Sequence, residues 1–219
     1  MNGYFNVTVI EEWITFFAAI VLLDKKTGRW QLFKILFALI VIAETLGWYL
    51  RTNGHQQLNA IPFNVLMLVA DSFFIWFVAI TTWFEKERKI LLLSIVIFLL
   101  FWIINILFFQ GMWNYNYYSE TFADITLFIV CSLFYYKVLQ SDEHVNLLKS
   151  DYFWLATGIL FSSLGSALLY QFSKLFAEYY DKTKIDLGTY INYGLNSILY
   201  VCIIFSFICR RTATRLPQP

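Results

Sequence analysis

Charged residues are scarce in this sequence. They make up 14% of the 219 residues, whereas 59% are apolar and 21% are aromatic. Soluble globular domains carry about 25% charged and about 45–50% apolar residues. A soluble fold of this length cannot hide such an apolar fraction, but the hydrocarbon of a bilayer can face it. The formal net charge of +1 gives no indication of a nucleic-acid partner.

Histidine and cysteine are also rare, and their positions argue against the common metal and nucleophile sites. His55 and His144 fall in predicted loops on opposite sides of the membrane, so no zinc site can be assembled from them. Cys131, Cys202 and Cys209 stand within apolar runs and form no CxxC pair, as is typical of small membrane hydrophobes. A glycine-rich phosphate loop is absent as well. We therefore expect no metal and no cofactor, and we favour a non-enzymatic role.

Proline is the third scarce residue. Only Pro62, Pro217 and Pro219 occur, and the chain shows no internal repeat. Broken-helix transporters carry interrupted segments at corresponding positions of two halves, and this pattern is missing. The last apolar run has no lysine, which argues against a retinal Schiff base there. The N-terminus lacks a basic region and a small-residue cleavage site, so we expect the first apolar run to stay as a helix.

Seven apolar stretches approach the length of about 20 residues that a transmembrane helix needs. They predict an all-α membrane protein, a seven-helix bundle that forms a single domain over residues 1–219. The predicted spans are residues 4–23, 31–50, 61–84, 90–109, 121–140, 152–176 and 187–209. The first span is the weakest, because Glu11 and Glu12 interrupt it. The connections are short and polar, and none is long enough for a soluble domain.

The distribution of lysine and arginine predicts the direction of the helices. With the N-terminus outside, twelve basic residues flank the cytosolic helix ends and four flank the outer ends. This asymmetry agrees with the positive-inside rule. We therefore predict an outer N-terminus, a cytosolic C-terminus and a multi-pass location in the plasma membrane, which is the inner membrane of a bacterium.

Polar side chains within the predicted spans gather toward the outer side. An intramembrane charge is costly, so each one is a candidate for function. Asp71 lies deepest, about 15 Å from the outer end of its helix at 1.5 Å per residue. The predicted ligand-binding residues are Asp71, Glu44, Asn64, Asn192, Asn196, Glu11, Asp124 and Arg51. Because the inner half carries hydroxyls and almost no charge, the pattern predicts a cavity that opens outward and is closed inward.

The excess of acids over bases favours a small cationic or amphipathic ligand, held by charge pairing and by contact with aromatic rings. Three alternatives stay open. Protonation would equally explain buried carboxyl groups. Asparagine in membrane helices commonly joins neighbouring helices through hydrogen bonds. Glu44 and Arg51, which share a helix face, would also suit a structural ion pair near the membrane interface.

Two segments, GRWQLFKILFALIVIAETLGWYL and IPFNVLMLVADSFFIWF, resemble bacterial seven-helix integral membrane proteins of no known activity. In those proteins a glutamate lies late in helix two, and an asparagine precedes an acid on helix three. The matching positions here are Glu44, Asn64 and Asp71. The resemblance runs from residue 28 to residue 77, about a quarter of the chain, and implies a fold but no function. The segment from Asn196 to Tyr200 also resembles the helix-seven motif of rhodopsin-like receptors, but this resemblance is superficial.

The leading hypothesis from the sequence is a receptor-like, ligand-binding membrane protein. Any signal would pass to a separate cytosolic or membrane protein, because the chain shows no output domain of its own. One alternative is a small transporter, proton-coupled through Asp71 and Glu44. The other is an intramembrane hydrolase that uses paired carboxylates as general acid and base.

Overall fold

The computed structural model describes residues 6–55, 58–82, 85–140 and 146–215, and it confirms the all-α class. The described chain forms α-helices joined by short connections. Two of these connections are 3-10 helices, Lys25–Gln31 and Leu147–Lys149. The α-helices are α1 (Val7–Leu22), α2 (Leu32–Thr52), α3 (Ala60–Thr82), α4 (Glu85–Phe108), α5 (Tyr117–Gln140), α6 (Asp151–Gln171), α7 (Ser173–Thr183) and α8 (Leu187–Arg215).

Six helical segments in the described chain are long and apolar enough to cross a bilayer, as a multi-pass membrane protein requires. They are Lys25–Thr52, Ala60–Ile80, Leu91–Phe108, Tyr117–Gln140, Asp151–Gln171 and Leu187–Thr214. Their exposed apolar side chains fit contact with lipid. Only 17% of the α4 window is buried within the protein, so α4 offers the most such surface.

The first predicted span is shorter in the structure than the sequence indicates. Its helix α1 has 16 residues and begins at Val7, after its N-cap Asn6 accepts a hydrogen bond from the Val9 N–H at 3.0 Å. At 1.5 Å per residue this helix is about 24 Å long, less than the hydrocarbon thickness of about 30 Å. Residues 1–5, which include the start of the predicted span, lie outside the described residues. A seventh crossing, and the orientation of the bundle, therefore stay predictions.

The sixth span ends earlier than predicted. Helix α6 stops at Gln171, and the chain turns at Phe172 (φ −95°, ψ 13°) into the separate helix α7. The sequence assigned this segment partly to a span and partly to a loop. Its charged residues make it too polar for a bilayer interior, yet they are compatible with a short surface helix. The third predicted span also included residues 83 and 84, which lie outside the described residues.

Helix α8 packs along α6 and α1, while α3 contacts α2, α4 and α5. Small residues allow the close approach of α6 and α8. A Cβ atom at Gly158 would lie 2.8 Å from the Cys202 Cβ and 3.2 Å from the Leu199 carbonyl oxygen. Real Cβ atoms essentially never show a contact as short as the first, so glycine is required for this helix spacing.

Aromatic rings fill one end of the bundle, where α2 begins and α8 ends. Trp30, Phe33, Phe77 and Phe207 are each at most 1% exposed, and we call them the ring cluster. The centroid of Phe33 lies 4.9 Å from that of Phe77 and 5.3 Å from that of Phe207. Edge-to-face ring pairs of this kind contribute about 0.5–1.5 kcal/mol each beyond area burial. The ring cluster closes this end of the bundle, which the basic residues predict to be cytosolic.

Candidate ligand-binding cavity

A cavity of about 310 Å³ lies toward the other end of the bundle, where α1, α3, α5 and α8 begin. We call it the acid cavity, because five carboxylic acids line it. No lysine, arginine or histidine is among its lining residues in the described chain. Its polar lining residues are Thr8, Glu12, Glu44, Asp71, Tyr115, Glu120, Asp124, Ser162, Ser163, Ser166, Tyr170, Asn192, Asn196 and Tyr200.

The five acids come from four helices. Glu12 lies on α1, Glu44 on α2 and Asp71 on α3, while α5 supplies both Glu120 and Asp124. The two acids of α5 are four residues apart, so they stand on one face, one helical turn from each other. Since these helices enter or leave the bundle at the same end, acids distant in sequence converge in space.

Several carboxyl oxygens in the acid cavity have no hydrogen-bond partner in the described part of the chain. These atoms are buried and unpartnered, one carboxyl oxygen each in Glu12, Asp71, Glu120 and Asp124. The side chains of Glu12 and Asp124 are only 4% and 9% exposed. Glu120 is also close enough to Asp71 and Asp124 for mutual charge repulsion. The cavity therefore gathers acids for which the described chain supplies too few donors, and this setting favours a ligand that brings donors and a positive charge.

A tyrosine hydroxyl group holds one of the acids in place, and two other tyrosines lie beside a second acid. The Tyr200 hydroxyl donates to the Glu12 Oε1 at 3.1 Å, and Tyr200 is 7% exposed. The Tyr115 and Tyr170 side chains lie beside the carboxyl group of Glu120 in the cavity wall. Tyr115 lies in the connection between α4 and α5, where burial and then the neighbouring Glu120 charge raise its pKa well above the usual value. Its hydroxyl therefore keeps its proton and remains a donor.

Two further cavities adjoin the acid cavity. The first, of about 490 Å³, lies against α7 and the start of α8, and we call it the vestibule. It shares Ser166, Tyr170 and Asn192 with the acid cavity. The second, of about 190 Å³, lies between α2, α3 and α8, and we call it the apolar pocket. It shares acids and tyrosines with the acid cavity at one side and is otherwise lined by apolar side chains.

The structure brings five of the predicted ligand-binding residues together in the acid cavity. They are Asp71, Glu44, Asp124, Asn192 and Asn196. Their convergence follows from the positions along the helices: the α5 and α8 residues lie in the first half of their helices and Asp71 lies at the midpoint of α3, whereas Glu44 lies in the second half of the oppositely directed α2. Whether these residues bind a ligand remains a proposal.

Asn64 is not among the lining residues of the acid cavity, although the sequence places it in the same set. It is fully buried, and its Nδ2 donates to the carbonyl oxygens of Met112 at 3.1 Å and Asn114 at 2.8 Å. Its Oδ1 accepts from the Asn116 N–H at 3.1 Å. These three bonds fasten the connection before α5 to α3, and this connection carries Tyr115. Asn64 is therefore a positioning residue for the cavity wall.

Glu11 and Arg51 also lie outside the lining of the acid cavity. The Ser197 hydroxyl donates to the Glu11 Oε1, which ties α1 to α8. Arg51 is exposed in the last turn of α2, where its charge still acts on Glu44. Both side chains are thus neighbours of the site: Glu11 contacts α8, and Arg51 acts through the electric field of its positive charge.

The sequence pattern does not single out Glu120, Tyr115 or Tyr170, which the structure places in the cavity wall. The predicted fifth span begins at residue 121, so the prediction leaves Glu120 in the polar connection before it. The helix instead begins at Tyr117 and continues through Glu120. The spacing of four residues between Glu120 and Asp124 was the available signal, since it gives two acids one helix face.

No group of three or more histidine, cysteine or acidic side chains in the described chain is arranged to hold a metal ion. No family model, curated protein or solved structure matches this chain. The functional proposal therefore depends on the chemistry of the cavity itself.

Proposed function

We propose that this protein binds a small organic cation in the acid cavity and acts as a receptor-like membrane protein. The observation that carries the proposal is the composition of the lining: five acids, three tyrosines and no base among the described lining residues. The volume of about 310 Å³ lies at the lower end of the range of about 300–1,000 Å³ for small-molecule sites.

Simple electrostatics favours a cation in this setting. A unit positive charge 4 Å from one carboxylate gains about 4 kcal/mol at an effective dielectric constant near 20. A protonated amine would also donate to the unpartnered oxygens of Glu12, Asp71 and Asp124. The tyrosine rings add cation–π attraction of about 0.5–2 kcal/mol. An organic cation suits the wall better than a metal ion, because the acids do not converge as metal ligands do.

The ring cluster supports a binding role over conduction. A channel needs a polar path through the bundle, but Phe33, Phe77 and Phe207 are fully buried at the end opposite the acid cavity. The transporter hypothesis would require these packed rings to separate in each cycle. A receptor that is accessible from one side requires no such opening.

Helix α8 offers a physical connection between the cavity and the other end of the bundle. Tyr200 donates to Glu12 in the cavity wall, and Phe207 on the same helix belongs to the ring cluster. One turn further on, Arg210 pairs with Asp151 of α6 at 3.4 Å. A cation that competes with Tyr200 for Glu12 would act directly on α8. We propose that this helix conveys binding to a separate partner protein.

The binding proposal predicts that alkylammonium ions stabilise the folded protein and that Asp71→Asn removes this effect. A ligand present at 100 times its dissociation constant adds about 2.7 kcal/mol of stability. For a chain of this size that corresponds to a rise in melting temperature of about 5–10 °C. The measurement is thermal unfolding of the purified protein in detergent with ethylammonium chloride, against sodium chloride at equal ionic strength.

Glu178→Gln is the matched control, because it makes the same carboxyl-to-amide change on an exposed face of α7. It should respond to ethylammonium as the parent does. Asp71→Asn should fold, since the amide keeps the shape and hydrogen-bonding capacity of the carboxyl group. Equal responses of Asp71→Asn and the parent to every salt would assign Asp71 a structural role.

The predicted topology has its own test. A reporter enzyme fused after the last residue should be active only in the cytosol, because the basic residues concentrate at that end of the helices. The expected result with a phosphatase that needs the periplasm is no activity, and with a fluorescent protein that folds in the cytosol it is bright cells. Periplasmic phosphatase activity would reverse the orientation, and the acid cavity would then face the cytosol.

A further inference from the structure

We infer that the cation carries a ring-sized apolar group, and that this group occupies the apolar pocket while the charge stays in the acid cavity. The inference rests on the proposed cation binding and adds the class of ligand. Its basis is the joint wall of the two cavities: Glu12, Asp71 and Glu120 line both. A ligand held by these acids has the apolar pocket directly beside its charge.

One face of α3 carries both the acidic group and the apolar side chains that such a ligand needs. Met67, Ala70, Asp71 and Phe74 follow the spacing i, i+3, i+4, i+7, so they share a single stripe along the helix. All four line the apolar pocket, whereas only Asp71 and Phe74 also line the acid cavity. The separation between the Asp71 and Met67 positions is one helical turn, or about 6 Å at 1.5 Å per residue. A short link therefore suffices between the charge and the apolar group.

The rest of the apolar pocket contains no charged side chain among its described residues. Away from the shared wall it is lined by Phe37, Ile40, Phe63, Leu66, Met67, Ala70 and Ile203. Burial of a polar group among these side chains would cost free energy without a compensating hydrogen bond. A hydrocarbon or aromatic group gains from the same burial.

The size of the apolar pocket limits the group to about one ring. An apolar cavity of about 150 Å³ is large enough to bind benzene, and this pocket measures about 190 Å³. A long alkyl chain exceeds this volume. Phe37, which lines the pocket, packs against the ring cluster, with its ring 6.3 Å from that of Phe207. The flexible Met67 side chain can adjust to the shape of the group.

The test compares methylammonium with 2-phenylethylammonium, using isothermal titration calorimetry on the full-length protein in detergent. Burial of a phenyl group is expected to make 2-phenylethylammonium bind about 10–100-fold more tightly. Empty micelles and the neutral 2-phenylethanol correct for partition into detergent. Methylammonium reports on the proposed function, and the ratio of the two affinities reports on the apolar pocket.

Two substitutions change the pocket in opposite directions. Ala70→Leu fills it and should bring the affinity ratio close to one, whereas Met67→Ala enlarges it and should favour a naphthylethylammonium probe. Ala213→Leu, the same change at an exposed position on α8, should leave the ratio as in the parent.

The outcomes separate the two proposals. If both cations bind the parent equally well, the apolar group has no place in the pocket and the inference is wrong, while the proposed function stands. A ratio that survives in a folded Ala70→Leu protein would contradict the inference in the same way. Binding of neither cation to the parent would overturn the proposed function, and the inference with it.

Discussion

Replacement of Asn64 by alanine is expected to lower the melting temperature on the order of 10 °C. The substitution leaves the Met112 and Asn114 carbonyl groups and the Asn116 N–H without the partner that the structure shows. A buried group that loses its partner costs about 1–3 kcal/mol. A chain of this size loses about 2–4 °C per kcal/mol. Thermal unfolding in detergent, followed by circular dichroism, measures the change.

Asn53→Ala is the matched control for this experiment. The Asn53 Nδ2 donates to the Tyr49 carbonyl oxygen at 2.8 Å, but the residue is exposed, so water replaces the lost bond. We expect a change within about 0.5 kcal/mol for that variant. Asn64→Ala should also weaken cation binding, because Tyr115 loses its anchor. Equal melting temperatures for the two variants would show that the buried bonds of Asn64 contribute little.

Gly158→Val is the second substitution with a large expected effect, and it should sharply lower the yield of folded protein. The new Cβ would approach the Cys202 Cβ and the Leu199 carbonyl oxygen, both of which are attached to the α8 backbone. Neither atom can turn away as the end of a long side chain can, so α6 and α8 must separate. Forced overpacking of a dense interior typically costs about 1–3 kcal/mol or more. Separation of these helices also opens the cavity wall.

Gly194→Ala provides the control on the neighbouring helix. A Cβ at Gly194 meets no atom within 4 Å, so no contact opposes the substitution. Alanine is favoured over glycine within a helix by about 1 kcal/mol, and the variant should therefore match or exceed the parent in stability. The measurement is size-exclusion chromatography of both variants after mild detergent extraction, which compares their yields of monodisperse protein. A monodisperse, folded Gly158→Val protein would mean that α6 and α8 adapt more readily than their spacing indicates.

The sequence predicts the apolar spans well, because long hydrophobic runs have no alternative fold in a bilayer. It is less successful where local polarity and tertiary packing decide the structure. The break at Phe172 has no proline or glycine to mark it, so the start of α7 was read as part of a span. Residues Ser173–Thr183 form a helix because their charged side chains can face water at the surface.

In the candidate site, too, the sequence-based prediction fails where helix packing decides which side chains face the cavity. Glu11 and Glu12 are adjacent in sequence and differ by about 100° around the helix, yet only Glu12 lines the acid cavity. The sequence cannot choose between them without knowing where α8 packs. Asn64 is a similar case, because its partners lie about 50 residues further along the chain. Asp71 is recognisable from the sequence because its depth makes a carboxyl group unusual, and Asp124 is recognisable because it is a charge within a predicted span.

The division of the five acids among four helices has a consequence for the synthesis of the protein. Helices enter the bilayer largely one after another, before the cavity exists, and a single Asp at a helix centre costs about 2.5–3.5 kcal/mol at that step. Helices α2 and α3 each carry one cavity acid within a long apolar run. The apolar residues outweigh the cost of that acid, so each helix can insert independently. Helix α1 carries two adjacent acids in only 16 residues, so its apolar residues offset the cost of insertion less well. We expect it to enter the membrane last, drawn in by Tyr200 and Ser197 once α8 is in place.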